Sequence, residues 1–163
     1  WHGYQSFKPE EVTPQLAHEI GVKLAKEIDA DGVHLGQDDL DIKAAREYLG
    51  ADKIIGVSAH NVKEALGAEN GGADYLGSGA AFVTSTKTDA GAIDHKVLSD
   101  VAHSVKIPVV AIGGINKDNI SQLEGLGLDG VAGVSAIFAA DDISSAVIDL
   151  KAKSEKVAES SVK

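Results

Sequence analysis

Apolar residues fall along this chain in short dense runs separated by longer mixed stretches. "ADGVHLG" begins at Ala30, "ADKIIGVS" at Ala51 and "ADYLGSG" at Ala73, so the first three runs start 21 and 22 residues apart. "IPVVAIGG" follows from Ile107, and "LDGVAGVS" begins another 21 residues on, at Leu128. Each run is apolar on both alternating faces and ends in Gly or Ser, as a fully buried parallel strand does. The stretches between them have helical periodicity. "DDLDIKAAREYLG" puts Leu40, Ala44, Ala45 and Leu49 on one face and stops at Gly50, a residue suited to a helix C-terminus. In "HNVKEALGAENGG", Asn61 stands three residues before Glu64 as in a capping box, with Val62, Ala65 and Leu66 expected to face inward. "NKDNISQLEGLG" and "DDISSAVIDLKAK" repeat the scheme, and Gln15 to Ile28 reads as a helix leading into the first strand.

Strand and helix alternating at this interval predict a parallel sheet with crossover helices, either doubly wound or a (β/α)8 barrel. Only five units are visible, and a full barrel takes about 250 residues. The expectation is therefore an α/β chain of the TIM-barrel type, comprising roughly the C-terminal five β/α units of one. Its parts read as an N-terminal segment over 1–28, a partial barrel over 29–153 and a polar, frayed tail over 154–163.

Composition narrows the options. The chain has 163 residues, 44% of them hydrophobic and 25% charged, enough for a real core. Its formal charge of −10 argues against a general nucleic-acid or anionic-membrane surface, so any anion must be held locally. With no cysteine there are no disulfides and no thiolate chemistry, and no apolar run approaches the ~20 residues of a membrane span. A cytoplasmic protein is the expectation. The chain begins at Trp1 and contains no methionine, so a preceding segment is also expected.

Candidate chemistry collects where the spacing breaks. From Ala73 to Ile107 is 34 residues, and the surplus of about a dozen holds Thr84-Ser85-Thr86-Lys87. In parallel β/α folds the loops leaving strand C-termini form the active face. Three hydroxyls and a mobile ammonium there suit phosphate or diphosphate oxygens, although a solvated polar loop reads the same way. Gly113 and Gly114 after one strand, and Ser135 before a short helix, form either an anion seat or simple turn chemistry. Asp38 and Asp39 in "HLGQDD" either offer magnesium an oxygen ligand or cap the helix expected from about Leu40. Ser58 ends its strand as a site residue or as a helix cap. Six histidines show no metal-ligand spacing; His34 reads as a strand residue in or beside the core, and His60 as near Ser58.

Taken in order, "DGVHLGQDD", "IIGVS", "TSTK", "IPVVAIGGI" and "DGVAGVSAIF" resemble the thiamine-phosphate synthase family, over about Asp29 to Asp142. The resemblance implies a (β/α)8 barrel that joins hydroxymethylpyrimidine diphosphate to a thiazole phosphate, giving thiamine phosphate and diphosphate with Mg2+ as cofactor. It assigns Asp39 to magnesium, and Ser58 and Lys87 to the pyrimidine diphosphate. Thr84, Ser85 and Thr86, with Gly114, Val134 and Ser135, fall to the thiazole phosphate. The implied chemistry is dissociative: diphosphate departs, the aminopyrimidine delocalises the resulting methyl cation, and the thiazole nitrogen captures it.

Two family features have no counterpart here. There is no Gln-x-Arg-x-Lys segment, and where an Asn-Asp pair is due the chain has Glu19 and Ile20. The chain is thus expected to carry most of the thiazole-phosphate side and about half of the diphosphate side. It would be a fragment, a truncated product or a partial barrel completed by association. Two other readings compete with the transferase: a thiazole tautomerase-like isomerase, and a non-catalytic phosphate-binding partial barrel. "TSTK" and "GQDD" favour the transferase, because the isomerase needs neither diphosphate nor magnesium.

Overall fold

A computed structural model describes residues 14–83 and 92–161. Helix α1 (Pro14–Glu27) precedes β1 (Gly32–Leu35), and α2 (Ile42–Leu49), β2 (Ile54–Ala59), α3 (Val62–Gly71) and β3 (Tyr75–Gly79) follow. Then come α4 (His95–Ser104), β4 (Val109–Ile112), β5 (Gly130–Ala132), the single turn α5 (Ser135–Phe138) and α6 (Ile143–Glu159). The strands form one parallel sheet in the order β1-β2-β3-β4-β5. A doubly wound sheet reverses its strand order at a switch point. This one never reverses, so it is a run of five consecutive barrel units, as the runs in the sequence predict.

Alternation along each strand separates two faces. Ile55, Val57, Ala59, Leu76, Val109 and Ala111 point to the helices and are buried. Ala45, Ala65, Ala68 and Ala102 meet them from α2, α3 and α4, and small residues there let helices lie close on the sheet. Leu98 and Val101 of α4 complete this layer; burying side chains of their size contributes about 1.5–3 kcal/mol each. The opposite face carries His34, Gly56, Ser58, Tyr75, Gly77 and Ile112, of which His34 and Ile112 are exposed.

Two aspartates, Asp74 of one Ala-Asp dipeptide and Asp129 after Leu128, are register devices at the N-terminal rim. Asp74, just before β3, accepts from the backbone N–H of Ile55 at 2.7 Å, and Asp129, just before β5, accepts from that of Val109 at 2.8 Å. Each carboxylate thus fixes its own strand against the one before it. Arg46 reinforces the first latch at 2.6 Å. Burial works against the Asp74 charge, but the Ile55 amide and the Arg46 guanidinium outweigh it and hold the carboxyl below its ordinary range.

Several elements differ from expectation. Asp41 caps α2, accepting from Lys43 and Ala44, so neither Asp38 nor Asp39 does. The helix does end at Gly50, whose φ is 93°. The capping box is present, although Glu64 reaches back to the His60 N–H rather than to that of Asn61, and Leu66 is exposed rather than inward. "NISQLEG" forms only a 3₁₀ turn, Ile120–Leu123. The polar segment from Ser154 continues α6 to Glu159, because Val157 falls seven residues after Leu150 and both are buried. Among the described residues no helix is long and apolar enough to cross a membrane.

Candidate active site

The C-terminal ends of the strands gather most of the described candidate residues on one rim. Ser58 is the penultimate residue of β2, and its Oγ lies 3.0 Å from His34 Nε2 on β1. The other imidazole nitrogen, Nδ1, lies 3.0 Å from the Tyr75 hydroxyl on β3. Gln37, in the loop after β1, donates to the Ser58 carbonyl. Burial pushes the Tyr75 phenol above its ordinary value, so it stays protonated at neutral pH. Ser58 does not cap a helix, since Asn61 fills that position for α3.

Asp39 sits in the turn that leaves β1, where its Oδ2 accepts from the Gly36 N–H. Asp38 beside it is exposed. Among the described residues no three His, Cys, Asp or Glu side chains gather as a metal cage. The Asp38 and Asp39 carboxylates are oxygen donors of the kind magnesium takes, commonly one or two with substrate phosphate and water completing its shell.

Gly113 and Gly114 end β4 with φ of 97° and 65°, a region L side chains rarely adopt. A Cβ on Gly114 would lie 2.7 Å from the carbonyl oxygens of both Phe82 and Val83. The glycine thus brings the loop after β4 against the chain leaving β3. Asn119 Nδ2 donates to the Gly114 carbonyl at 2.9 Å and holds the turn. Thr84, Ser85, Thr86 and Lys87 lie outside the described residues, but the chain on either side of residues 84–91 is well anchored. Phe82 N–H donates to the Gly113 carbonyl at 3.0 Å and Ile93 N–H to the Ala80 carbonyl at 2.8 Å. His95 adds its Nε2 3.2 Å from the Ala81 carbonyl, with its ring edge-on to Phe82. Phe82 and Val83 thus stand beside Gly114, and Ile93 and His95 beside Ala80 and Ala81.

Val134 and Ser135 are exposed at the start of α5, as the sequence places them. A cleft of about 710 Å³ runs from Asn116 and Lys117 past Ser135 to the start of α6. Lys117, Asp118, Asp141, Asp142 and Asp149 are among its described lining residues, and Lys153 pairs with Asp149 at 2.9 Å. His60 pairs with Glu64, Nδ1 to Oε2 at 2.9 Å. Burial opposes the Glu64 charge, yet bonds from the His60 backbone and ring and from the Asn61 amide keep its carboxyl below the ordinary range.

His34 and Tyr75 are the residues that the sequence left unassigned. His34 was read as a strand or core residue and Tyr75 as an apolar one. Their pairing depends on strand register, which puts His34, Gly56 and Tyr75 level across three strands.

Sequentially wound parallel units with hydroxyl, carboxylate and glycine groups at one rim define a (β/α) barrel that receives its ligands at the strand tips. A family model described as thiamine monophosphate synthase matches residues 21–137, so the likeness begins in α1, ahead of Asp29, and ends inside α5. The thiamine-phosphate synthase of Clostridium acetobutylicum is 52% identical over 122 residues, 75% of this chain and 58% of that protein. That of Clostridium beijerinckii is 49% identical over 130 residues, 80% of this chain and 62% of that one. Among solved structures, thiamine phosphate pyrophosphorylase from Pyrococcus furiosus superposes with a TM-score of 0.76 at 46% identity, covering 83% of this chain and 65% of that chain. This chain belongs to the thiamine monophosphate synthase family. It spans about three fifths of the length of the curated relatives it matches.

Proposed function

We propose that the chain carries part of the active site of a cytoplasmic thiamine-phosphate synthase. The reaction is a transfer: the bond from the pyrimidine methylene carbon to diphosphate oxygen breaks and its electron pair leaves with diphosphate. The thiazole nitrogen lone pair then forms the new carbon–nitrogen bond. Ser58 and Lys87 bind the pyrimidine diphosphate. Thr84, Ser85 and Thr86, with the backbone around Gly114, Val134 and Ser135, receive the thiazole phosphate. Asp39 would hold magnesium, which when bound supplies positive charge at the departing diphosphate. The side chains named here need supply no nucleophile or base, because the step asks for position and fixed charge, the usual large terms in such catalysis.

The observation that carries this reading is that strong similarity to synthases coincides with one rim. Ser58, Asp39, Gly114 and the anchored ends of residues 84–91 all stand at strand C-termini in the stretch matched by the family. A further strand-bearing segment, from the same polypeptide or a partner, belongs to this reading, since β1 and β5 are open sheet edges in the described residues.

The test is to incubate the chain, completed by that further strand-bearing segment, with hydroxymethylpyrimidine diphosphate, thiazole phosphate and Mg2+, following diphosphate and thiamine phosphate together. Equal, magnesium-dependent formation of both supports the transferase. Isomerisation of a thiazole without diphosphate release would point to the tautomerase, and phosphate binding with neither reaction to a non-catalytic barrel.

A further inference from the structure

We propose that His34 and Tyr75 are positioning residues that fix the Ser58 hydroxyl as a hydrogen-bond donor to the pyrimidine diphosphate, an inference that rests on the transferase reading above. The three polar side chains form one relay spanning three strands: Tyr75 hydroxyl to His34 Nδ1 at 3.0 Å, and His34 Nε2 to Ser58 Oγ at 3.0 Å. Space for the two rings is made by glycines. A Cβ on Gly56 would run into the Tyr75 ring, and one on Gly77 would lie 2.9 Å from His34 Cε1. The strands are already registered by their backbone ladders, so the side-chain line is additional to what holds the sheet.

Its direction follows from acidity. A neutral imidazole offers one donor and one acceptor nitrogen. A phenol, with an ordinary pKa of about 10, is a stronger donor and a poorer acceptor than an aliphatic hydroxyl. Tyr75 therefore gives its proton to Nδ1, and Nε2–H donates to Ser58 Oγ. A doubly protonated ring would donate to Ser58 in the same way. Either way the serine oxygen is occupied as an acceptor, and its own hydrogen is left for a ligand oxygen or ring nitrogen. Without the relay Ser58 could accept or donate, and part of its population would present the wrong pole.

Two measurements on the purified chain test this. Histidine ¹⁵N NMR, with the His34 signal assigned by its loss in His34→Gln, should show the Nε2–H tautomer, and Tyr75→Phe should remove that preference. In the diphosphate-release assay, His34→Ala should lose about tenfold in kcat/KM and Tyr75→Phe about threefold, the range of one or two net hydrogen bonds. The loss should appear in KM for the pyrimidine diphosphate and leave KM for the thiazole phosphate unchanged. His34→Gln, whose amide N–H can reach the same oxygen, should stay within about threefold of wild type. Circular dichroism confirms that each variant is folded. An Nδ1–H tautomer insensitive to Tyr75→Phe, or a folded His34→Ala chain with unaltered KM for the pyrimidine diphosphate, overturns the proposal. A chain that releases no diphosphate even when completed by the further strand-bearing segment, but shows the expected tautomer and its Tyr75 dependence, keeps the relay and sinks the transferase reading.

Discussion

Replacing Gly114 by alanine adds one methyl group where the chain has no room for it. Two penalties combine. At φ of 65° an L side chain meets the left-handed region, at roughly 1–2 kcal/mol. The new Cβ would also lie 2.7 Å from two backbone carbonyl oxygens, those of Phe82 and Val83. Backbone cannot swing aside like the end of a flexible side chain, and relief would stretch the 3.0 Å bond from Phe82 N–H to Gly113. Overpacking of this kind costs roughly 1–3 kcal/mol. The sum is about 2–5 kcal/mol, or roughly 6–15 °C in Tm at about 3 °C per kcal/mol for a chain of this size. Gly125 provides the control, because its φ of 76° is similar and nothing lies within 4 Å of its virtual Cβ. Gly125→Ala should therefore show the backbone penalty alone. The assay is thermal unfolding of both variants beside wild type, read by circular dichroism. Equal losses would refute the close approach of the two loops and reduce Gly114 to an ordinary turn glycine.

Other expectations follow from the same geometry. Asp74→Ala leaves the buried Ile55 N–H without its acceptor and should cost about 2 kcal/mol in urea unfolding. Because the folded Asp74 carboxyl titrates below its ordinary 3.8, its stabilisation is complete above that value. It is lost as pH falls through the lowered folded value, so wild type and Asp74→Ala should converge in stability only in that acid range. Val157→Ala should cost about 2 kcal/mol by the same measurement, whereas a frayed tail would show no change. Lys87→Ala should slow magnesium-dependent diphosphate release by about a hundredfold, and an unchanged rate would remove the lysine from the site. Asp39→Asn should raise the Mg2+ concentration for half-maximal release at least tenfold; an unaltered requirement would place the ion elsewhere.

The strands were legible because a buried parallel strand must be apolar on both faces, and nothing else in this chain has that signature. The α2 and α3 ends were legible for a local reason too: Gly50 and Asn61 act within a turn of where they stand. α6 was misjudged beyond Ser154 because a helix rich in Lys, Glu and Ser reveals its buried stripe through only two residues, Leu150 and Val157, a heptad apart. Asp39 and Asp41 are two residues apart and chemically alike, so only the backbone could decide which capped the helix. The aspartates before the strands were visible as a rhythm, but what two of them do lies between strands, where Asp74 meets Ile55 and Asp129 meets Val109. His34 and Tyr75 escaped for the same reason, since residues 41 positions apart become neighbours only after the sheet is in register.

The anchoring around residues 84–91 carries an engineering consequence. Ile93 fastens to Ala80, Phe82 to Gly113 and His95 to Ala81, so the residues on either side of that stretch are tied to the ends of β3 and β4. An insert of different length or chemistry spliced between Val83 and Ala92 replaces no residue of the described strand pairings. The position is a socket, and a library of such inserts on an unchanged scaffold would ask how many phosphorylated molecules one barrel rim can be taught to hold.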